Sequence, residues 1–169
     1  MNPRFHLLGG RSDLSLSFVC AIRREVAKPV RLRSYSSREV DEVDCKIWEA
    51  CRATSAASSF FDPIRIGPFN EEFVDGATGC NNPIDEVLSE ARIIWPDADR
   101  RIQCVVSIGT GEPALKPFGG NVKDVGKTLL ALATDTKNTA ERFLRAHTHI
   151  GLADRYFRFN VMKGLEDVG

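Results

Sequence analysis

The stretch Phe73-Val74-Asp75-Gly76-Ala77 is the part of this sequence best suited to chemistry. An apolar pair leads into a carboxylate and a glycine follows at once, so Asp75 stands at the end of an extended segment where the backbone must turn sharply. A carboxylate held this way can meet a partner across a cleft. The same residues also make an Asp-Gly turn in which Asp75 bonds its own backbone. Local chemistry leaves both readings open. The chain breaks again at Asn81-Asn82-Pro83, a second turn signal close behind the first.

Other reactive residue types are less well placed. Gly109, Gly111 and Ala114 in "GTGEPA" satisfy the formal G-x-G-x-x-A pattern after a strand. Pro117 and Gly119-Gly120 then close off the helix whose N-terminus would hold a pyrophosphate, so the segment reads as a turn. His147 and His149 have no Cys, Asp or Glu beside them at ligand spacing, and His6 stands alone. No metal site and no cofactor site is expected. Five cysteines, at 20, 45, 51, 80 and 104, form no C-x-x-C pair. Several lie in apolar runs, as reduced core thiols do, and an odd count favours a reducing, intracellular compartment.

Periodicity supplies the elements that must hold these groups. "LSLSFVCAI" sets Leu14, Leu16, Phe18, Cys20 and Ile22 against Ser15, Ser17, Val19 and Ala21, a strand period. "PVRLRSYS" is a second strand with Val30 and Leu32 opposite Arg31 and Arg33, and "RREVAK" is the polar turn between them. A helix is predicted from an Asp44 N-cap to Asp62-Pro63, with Ile47, Ala50, Cys51 and Thr54 at helical steps. The small residues of "RATSAASSFF" let its backbone lie close to a sheet. A short helix comes next, near "PIDEVLSEARII". "RIQCVVSIGTG" reads as a strand buried on both faces of a parallel sheet. Asn121 to His147 reads as one long amphipathic helix, with Thr136, Ala140, Phe143 and His147 on its apolar stripe. "RYFRFNV" is a last strand, Phe157, Phe159 and Val161 on one side and Arg158 and Asn160 on the other. The class is α/β.

A length of 169 residues with 43% hydrophobic and 27% charged content suits one domain with a sizeable core. Residues 14–169 are assigned to it, and residues 1–13 to a poorly ordered N-terminal segment. With 23 basic and 23 acidic residues the net charge is zero, so nothing global draws the chain to nucleic acid or to an anionic membrane. No signal peptide and no membrane-spanning run is read in the sequence, and a cytoplasmic location is expected.

Taken in order, "RATSAASSFFDPI", "FVDGATGCNNP" and "VVSIGTGEP" resemble the patatin-like phospholipase family of lipid acyl hydrolases. The tail "RYFRFNVMKGLEDVG" is similar to the segment after that domain in its eukaryotic, fungal-type members. The resemblance implies a three-layer α/β/α fold and a Ser-Asp dyad without a metal or organic cofactor. In that chemistry the serine sits in G-x-S-x-G on a strand-to-helix turn, and the aspartate of D-G-[GA] activates it. Asp75, Gly76 and Ala77 match the latter motif. Phospholipid or acylglycerol esters are the implied substrates.

The implied nucleophile is absent from the sequence. No G-x-S-x-G occurs, and the nearest approach, Gly10 to Leu14 ("GRSDL"), lacks the final glycine and leads into a strand pattern. Gly9-Gly10 is too short for the glycine-rich oxyanion loop of the family. The chain thus resembles the C-terminal part of a patatin-like domain. Its buried-type strands are expected to lack a neighbour or a cover, with self-association or pairing with a full-length relative as the consequence. A catalytically inactive lipid-binding or interaction module is the alternative function.

Overall fold

The computed structural model describes residues 15–37, 42–57, 60–111 and 135–161. The N-terminal segment with "GRSDL", the first half of the expected long helix, Ala114 and the tail beyond Val161 lie outside them. The protein is mixed α/β and divides into two compact units between Cys80 and Asn81.

The first unit is built on a four-stranded antiparallel sheet of order β2-β1-β4-β3. Its strands are β1 (Phe18–Arg23), β2 (Lys28–Arg33), β3 (Ile64–Ile66) and β4 (Glu71–Asp75). The expected hairpin is present, with Val19 opposite Leu32 and Ala21 opposite Val30. The inward face differs from the expectation. Ala21 and Val19, not Leu16 and Phe18, join Val30, Leu32, Ile66 and Phe73 in the core, because the helix Ile47–Thr54 packs on that side with Ala50 and Ala53. Cys20 and Ile22 are buried as well, so Leu16, at 45% exposed, is the residue left outside.

That helix, α1, runs from Ile47 to Thr54, shorter than predicted at both ends. Asp44 is not its cap. Lys46 is still extended (φ −82°, ψ 159°) and takes the N-cap position, where its backbone N–H donates to Glu49 Oε2 at 2.7 Å. A Glu three residues into a helix satisfies an orphan donor of the first turn and fixes the start there. The small-residue packing holds: Ala50, Ala53 and Ala56 are at most 1% exposed. Ile47 and Cys51 turn outward, away from the stripe their spacing suggests.

The second unit carries α2 (Ile84–Ile94), β5 (Val105–Ile108), α3 (Thr136–Ala146) and β6 (Tyr156–Phe159). Two short 3-10 turns lead from α3 to β6. β5 and β6 pair in parallel, Val105 with Tyr156 through Ile108 with Phe159. Ile84, Leu88, Ala140, Phe143, Leu152 and Tyr156 form the core of this unit, with Val105 packed against it. α3 starts at Thr136 because Asp135, which is not helical, accepts from the N–H groups of Lys137 (3.1 Å) and Asn138 (2.9 Å). Asp135 is therefore outside the helix, and within Thr136–Ala146 the expected stripe of Ala140 and Phe143 is buried.

β5 has the look of a strand buried on both faces but, among the described residues, lacks a cover on one of them, as expected of its kind in this chain. α2 and α3 cover the face bearing Val105 and Tyr156, and the opposite face leaves Val106 56% and Ile108 80% exposed. Phe157 and Phe159 continue that open face on β6. The alternation read in "RYFRFNV" is correct, but its apolar side is the exposed one.

Candidate functional site

Asp75 is the last residue of β4 and pairs with Ala21 of β1. Its backbone N–H donates to the Ala56 carbonyl at 3.1 Å, so the segment after α1 is tied directly to the strand end. The half-buried side chain accepts the Ala77 N–H at Oδ1, 2.9 Å away. This is the Asp-Gly turn that the residue types allow. Among the described residues Ala77 N–H is the one donor on the carboxylate.

Gly76 is required by a close approach of backbones. A Cβ placed there would lie 2.6 Å from the Cys20 carbonyl oxygen and 2.8 Å from Cys20 Cβ, separations that no side chain tolerates. The end of β4 thus crosses β1 at a distance only glycine permits. Thr54 Oγ1 donates to the same Cys20 carbonyl at 2.8 Å, which anchors the last turn of α1 to this crossing. Ala77 to Cys80 then forms an irregular turn, Gly79 standing at φ +97°.

Upstream on β4, Glu72 lies between two guanidinium groups. Arg65 Nη2 and Arg24 Nη1 each reach its carboxylate at 2.8 Å. Hydrogen bonds from Arg65 and then Arg24 hold the carboxyl below the usual glutamate range. The pair of arginines ties β3 and the β1-β2 turn to the strand that presents Asp75.

In the second unit Asn82 is buried, and its Nδ2 donates to the Thr136 carbonyl at 3.1 Å. Pro83 comes next as the N-cap residue of α2. The break at Asn81-Asn82-Pro83 therefore anchors one helix against the start of another. Ser107, buried on β5, donates to Asn82 Oδ1 (3.4 Å) and accepts from Arg158 Nη1 (2.6 Å). An amide and a guanidinium take no proton at neutral pH, so among the described residues neither hydrogen-bond partner of this hydroxyl can serve as its base.

Gly109 continues the ladder to the Phe159 carbonyl. A Cβ on it would meet Asn160 Oδ1 at 2.4 Å, and that same oxygen accepts the Gly111 N–H at 2.8 Å. The two glycines thus serve a tight strand end. The His147 ring packs tilted against Phe143, and its Nδ1 donates to the Phe143 carbonyl at 2.9 Å. The His147 and His149 rings stand 6.3 Å apart, and among the described residues no three His, Cys, Asp or Glu side chains group closely enough to hold a metal.

The sequence points to Asp75, Gly76 and Ala77 but not to their supports, Thr54, Ala56 and Cys20. Those are distant in the chain and have no motif of their own.

No family model matches the chain. Curated relatives do. Over 121 residues, or 68% of the chain, it is 36% identical to the calcium-independent phospholipase A2-gamma of Rattus norvegicus. It is 33% identical over 120 residues, 69% of the chain, to phospholipase A I of Arabidopsis thaliana. The human calcium-independent phospholipase A2-gamma is 34% identical over 123 residues, again 68% of the chain. The chain belongs to the patatin-like phospholipase family. Its match spans 14%, 9% and 14% of the length of these three patatin-like relatives, so the chain corresponds to a small part of each. No helix among the described residues is long and apolar enough to cross a membrane.

Proposed function

We propose that this patatin-like chain supplies the activating aspartate, Asp75, of a lipid acyl hydrolase that cleaves ester bonds of phospholipids or related acylglycerols. The observation that carries the reading is the fixed placement of Asp75. A carboxylate stands at a strand end, locked by its own N–H to Ala56 and by the glycine-only crossing at Gly76, in a chain whose relatives are named phospholipases. The nucleophile is a serine in G-x-S-x-G supplied from outside these 169 residues, since the sequence holds no such motif. The same proposal includes a three-layer α/β/α domain of which this chain is the C-terminal part.

In the reaction Asp75 takes the proton of the serine hydroxyl as its oxygen attacks the ester carbonyl. The ester C–O bond breaks, the leaving alkoxide receives that proton, and an acyl-serine forms. Water then attacks the acyl-serine with Asp75 again accepting a proton, which releases the fatty acid and restores the serine.

In the form that carries the serine, Asp75→Asn is expected to lower kcat by about 10²–10⁴-fold with the fold intact. Unchanged hydrolysis of a soluble chromogenic ester would remove Asp75 from the chemistry. The isolated 169-residue chain is expected to turn over no ester, and measurable turnover by it would refute the outside serine. The missing G-x-S-x-G favours a second reading, a catalytically inactive lipid-binding or interaction module. The intact mass of the protein isolated from its own cells separates the two: a longer product with a G-x-S-x-G serine supports hydrolysis, and a product without one supports the module.

A further inference from the structure

While α1 turns Ala50 and Ala53 to the sheet, it presents Ile47 (51% exposed) and Trp48 (59% exposed) to solvent. Phe61, 56% exposed, returns over the end of the helix, with the Arg52 guanidinium 5.0 Å from its ring centre. These residues, with Lys46, Cys51 and Ser55, line an open groove of about 740 Å³. The lining holds two cations and no carboxylate. Glu49, the acidic residue of the helix's first turn, is turned back to the Lys46 backbone N–H at 2.7 Å. Lys46 Nζ lies 5.9 Å from the centre of the Trp48 ring, so each cation is paired with one exposed aromatic ring.

Arg52 narrows the choice of occupant. Its Nη2 donates to the Asp62 carbonyl at 2.7 Å, which fixes the guanidinium beside the Phe61 ring. With two cations, no carboxylate and the rings of Trp48 and Phe61 on its lining, the groove suits an occupant that brings anionic oxygen and apolar carbon to the same place. A phospholipid surface does so, because phosphate oxygens lie directly above the start of the acyl chains. Trp, Phe, Lys and Arg are the side chains that suit this boundary: the rings sit at headgroup level while the cations reach the phosphates.

We propose that the α1 groove is a docking surface for a bilayer containing anionic phospholipid, with Trp48 and Phe61 seated at the acyl boundary and Lys46 and Arg52 on lipid phosphates. The proposal rests on the reading of the protein as a lipid acyl hydrolase and adds the surface by which it meets its substrate.

The test uses the full chain carrying Trp95→Phe, which leaves Trp48 as the single tryptophan. It is mixed with vesicles of phosphatidylcholine alone and of phosphatidylcholine with about one-third phosphatidylglycerol. With the anionic vesicles, Trp48 emission is expected to shift to the blue and the protein to sediment with the lipid. The double variant Lys46→Gln/Arg52→Gln is expected to bind these vesicles roughly thirtyfold more weakly, near 1 kcal/mol being the worth of each surface cation. Phe61→Ala is expected to bind more weakly at unchanged thermal midpoint.

Unshifted emission, or equal binding of the double variant, would overturn the proposal. So would equal partition onto phosphatidylcholine alone, and so would a concentration-dependent dimer, abolished by Phe61→Ala, that forms without lipid. Because binding is read without turnover, these outcomes stand apart from a failure of Asp75→Asn to affect hydrolysis.

Discussion

Replacing Gly76 by alanine tests the central packing claim. The new methyl carbon would meet the Cys20 carbonyl oxygen at 2.6 Å, its carbon at 2.7 Å and Cys20 Cβ at 2.8 Å, where ordinary contact begins near 3.4 Å. Two of these three atoms are backbone, so no rotamer change removes the overlap. β1 and β4 must separate by more than half an ångström, which strains the Ala21–Asp75 pairing and the 3.1 Å bond from Asp75 N–H to the Ala56 carbonyl. Overpacking costs about 1–3 kcal/mol, and a weakened buried hydrogen bond adds roughly 1 kcal/mol, so a loss of ~2–4 kcal/mol is expected. Urea unfolding followed by far-ultraviolet circular dichroism measures it, as a lower midpoint at unchanged slope. Gly79→Ala is the control, because nothing lies within 4 Å of a Cβ there and only the φ of +97° opposes it; about 1 kcal/mol is expected. Adding Cys20→Gly to Gly76→Ala removes one of the three contacts and should restore only a minor part of the loss. A Gly76→Ala protein as stable as the parent, or less perturbed than Gly79→Ala, would refute the close-crossing argument.

Asp75→Asn keeps an oxygen that can accept the Ala77 N–H and should unfold within about 0.5 kcal/mol of the parent, whereas Asp75→Ala should lose about 1 kcal/mol; urea titration of both checks this. Burial, and then Glu49 and Asp44, push the Cys45 thiol up to about 11. The unfolded chain therefore ionises this thiol first, and the stability it contributes is complete below pH 9 and lost as pH rises toward 11. Relative to Cys45→Ala, the parent should lose about 1 kcal/mol between pH 7 and pH 10, read from paired urea titrations at the two pH values. Phe143, 1% exposed and stacked on Tyr156 with ring centres 5.5 Å apart, should cost about 3–5 kcal/mol on truncation to alanine, seen as a large drop in thermal midpoint.

What the sequence makes legible is local. The β1-β2 hairpin, the helix at "PIDEVLSEARII" and the closing strand come from alternation and turn residues alone. The start of α1 is hidden because two capping signals compete. Asp44 is the better N-cap by type, but Glu49 reaches back to Lys46 and decides the outcome. The inward face of β1 is hidden because both of its faces carry apolar residues, and only the position of α1 selects Val19 and Ala21. Which face of β5 lies open is hidden because an apolar run records what a strand can be buried against, not what covers it. At the candidate site, Asp75 and Gly76 are legible as a turn. The reason Gly76 must be glycine lies on Cys20, another strand's residue, and periodicity carries no information about such a crossing.

The supports of Asp75 bear on the chemistry proposed for it. Four contacts converge there: β1 pairing through Ala21, the Ala56 carbonyl on the Asp75 N–H, the Thr54 hydroxyl on the Cys20 carbonyl, and Gly76 against Cys20. None uses a carboxylate oxygen, and the bond that does among the described residues, from Ala77 N–H, an asparagine could also accept. The scaffold therefore fixes where the side chain stands without depending on its charge. A general base must be held in place before its partner arrives, since positioning loosened by even an ångström is costly to catalysis. A carboxylate placed by backbone close packing meets that requirement in this chain alone. Stability and activity should accordingly separate at this residue: the Asp75→Asn exchange that barely moves the urea midpoint should remove most of the hydrolysis once the serine is present. Parallel losses of both would mean that Asp75 is a structural turn residue and nothing more.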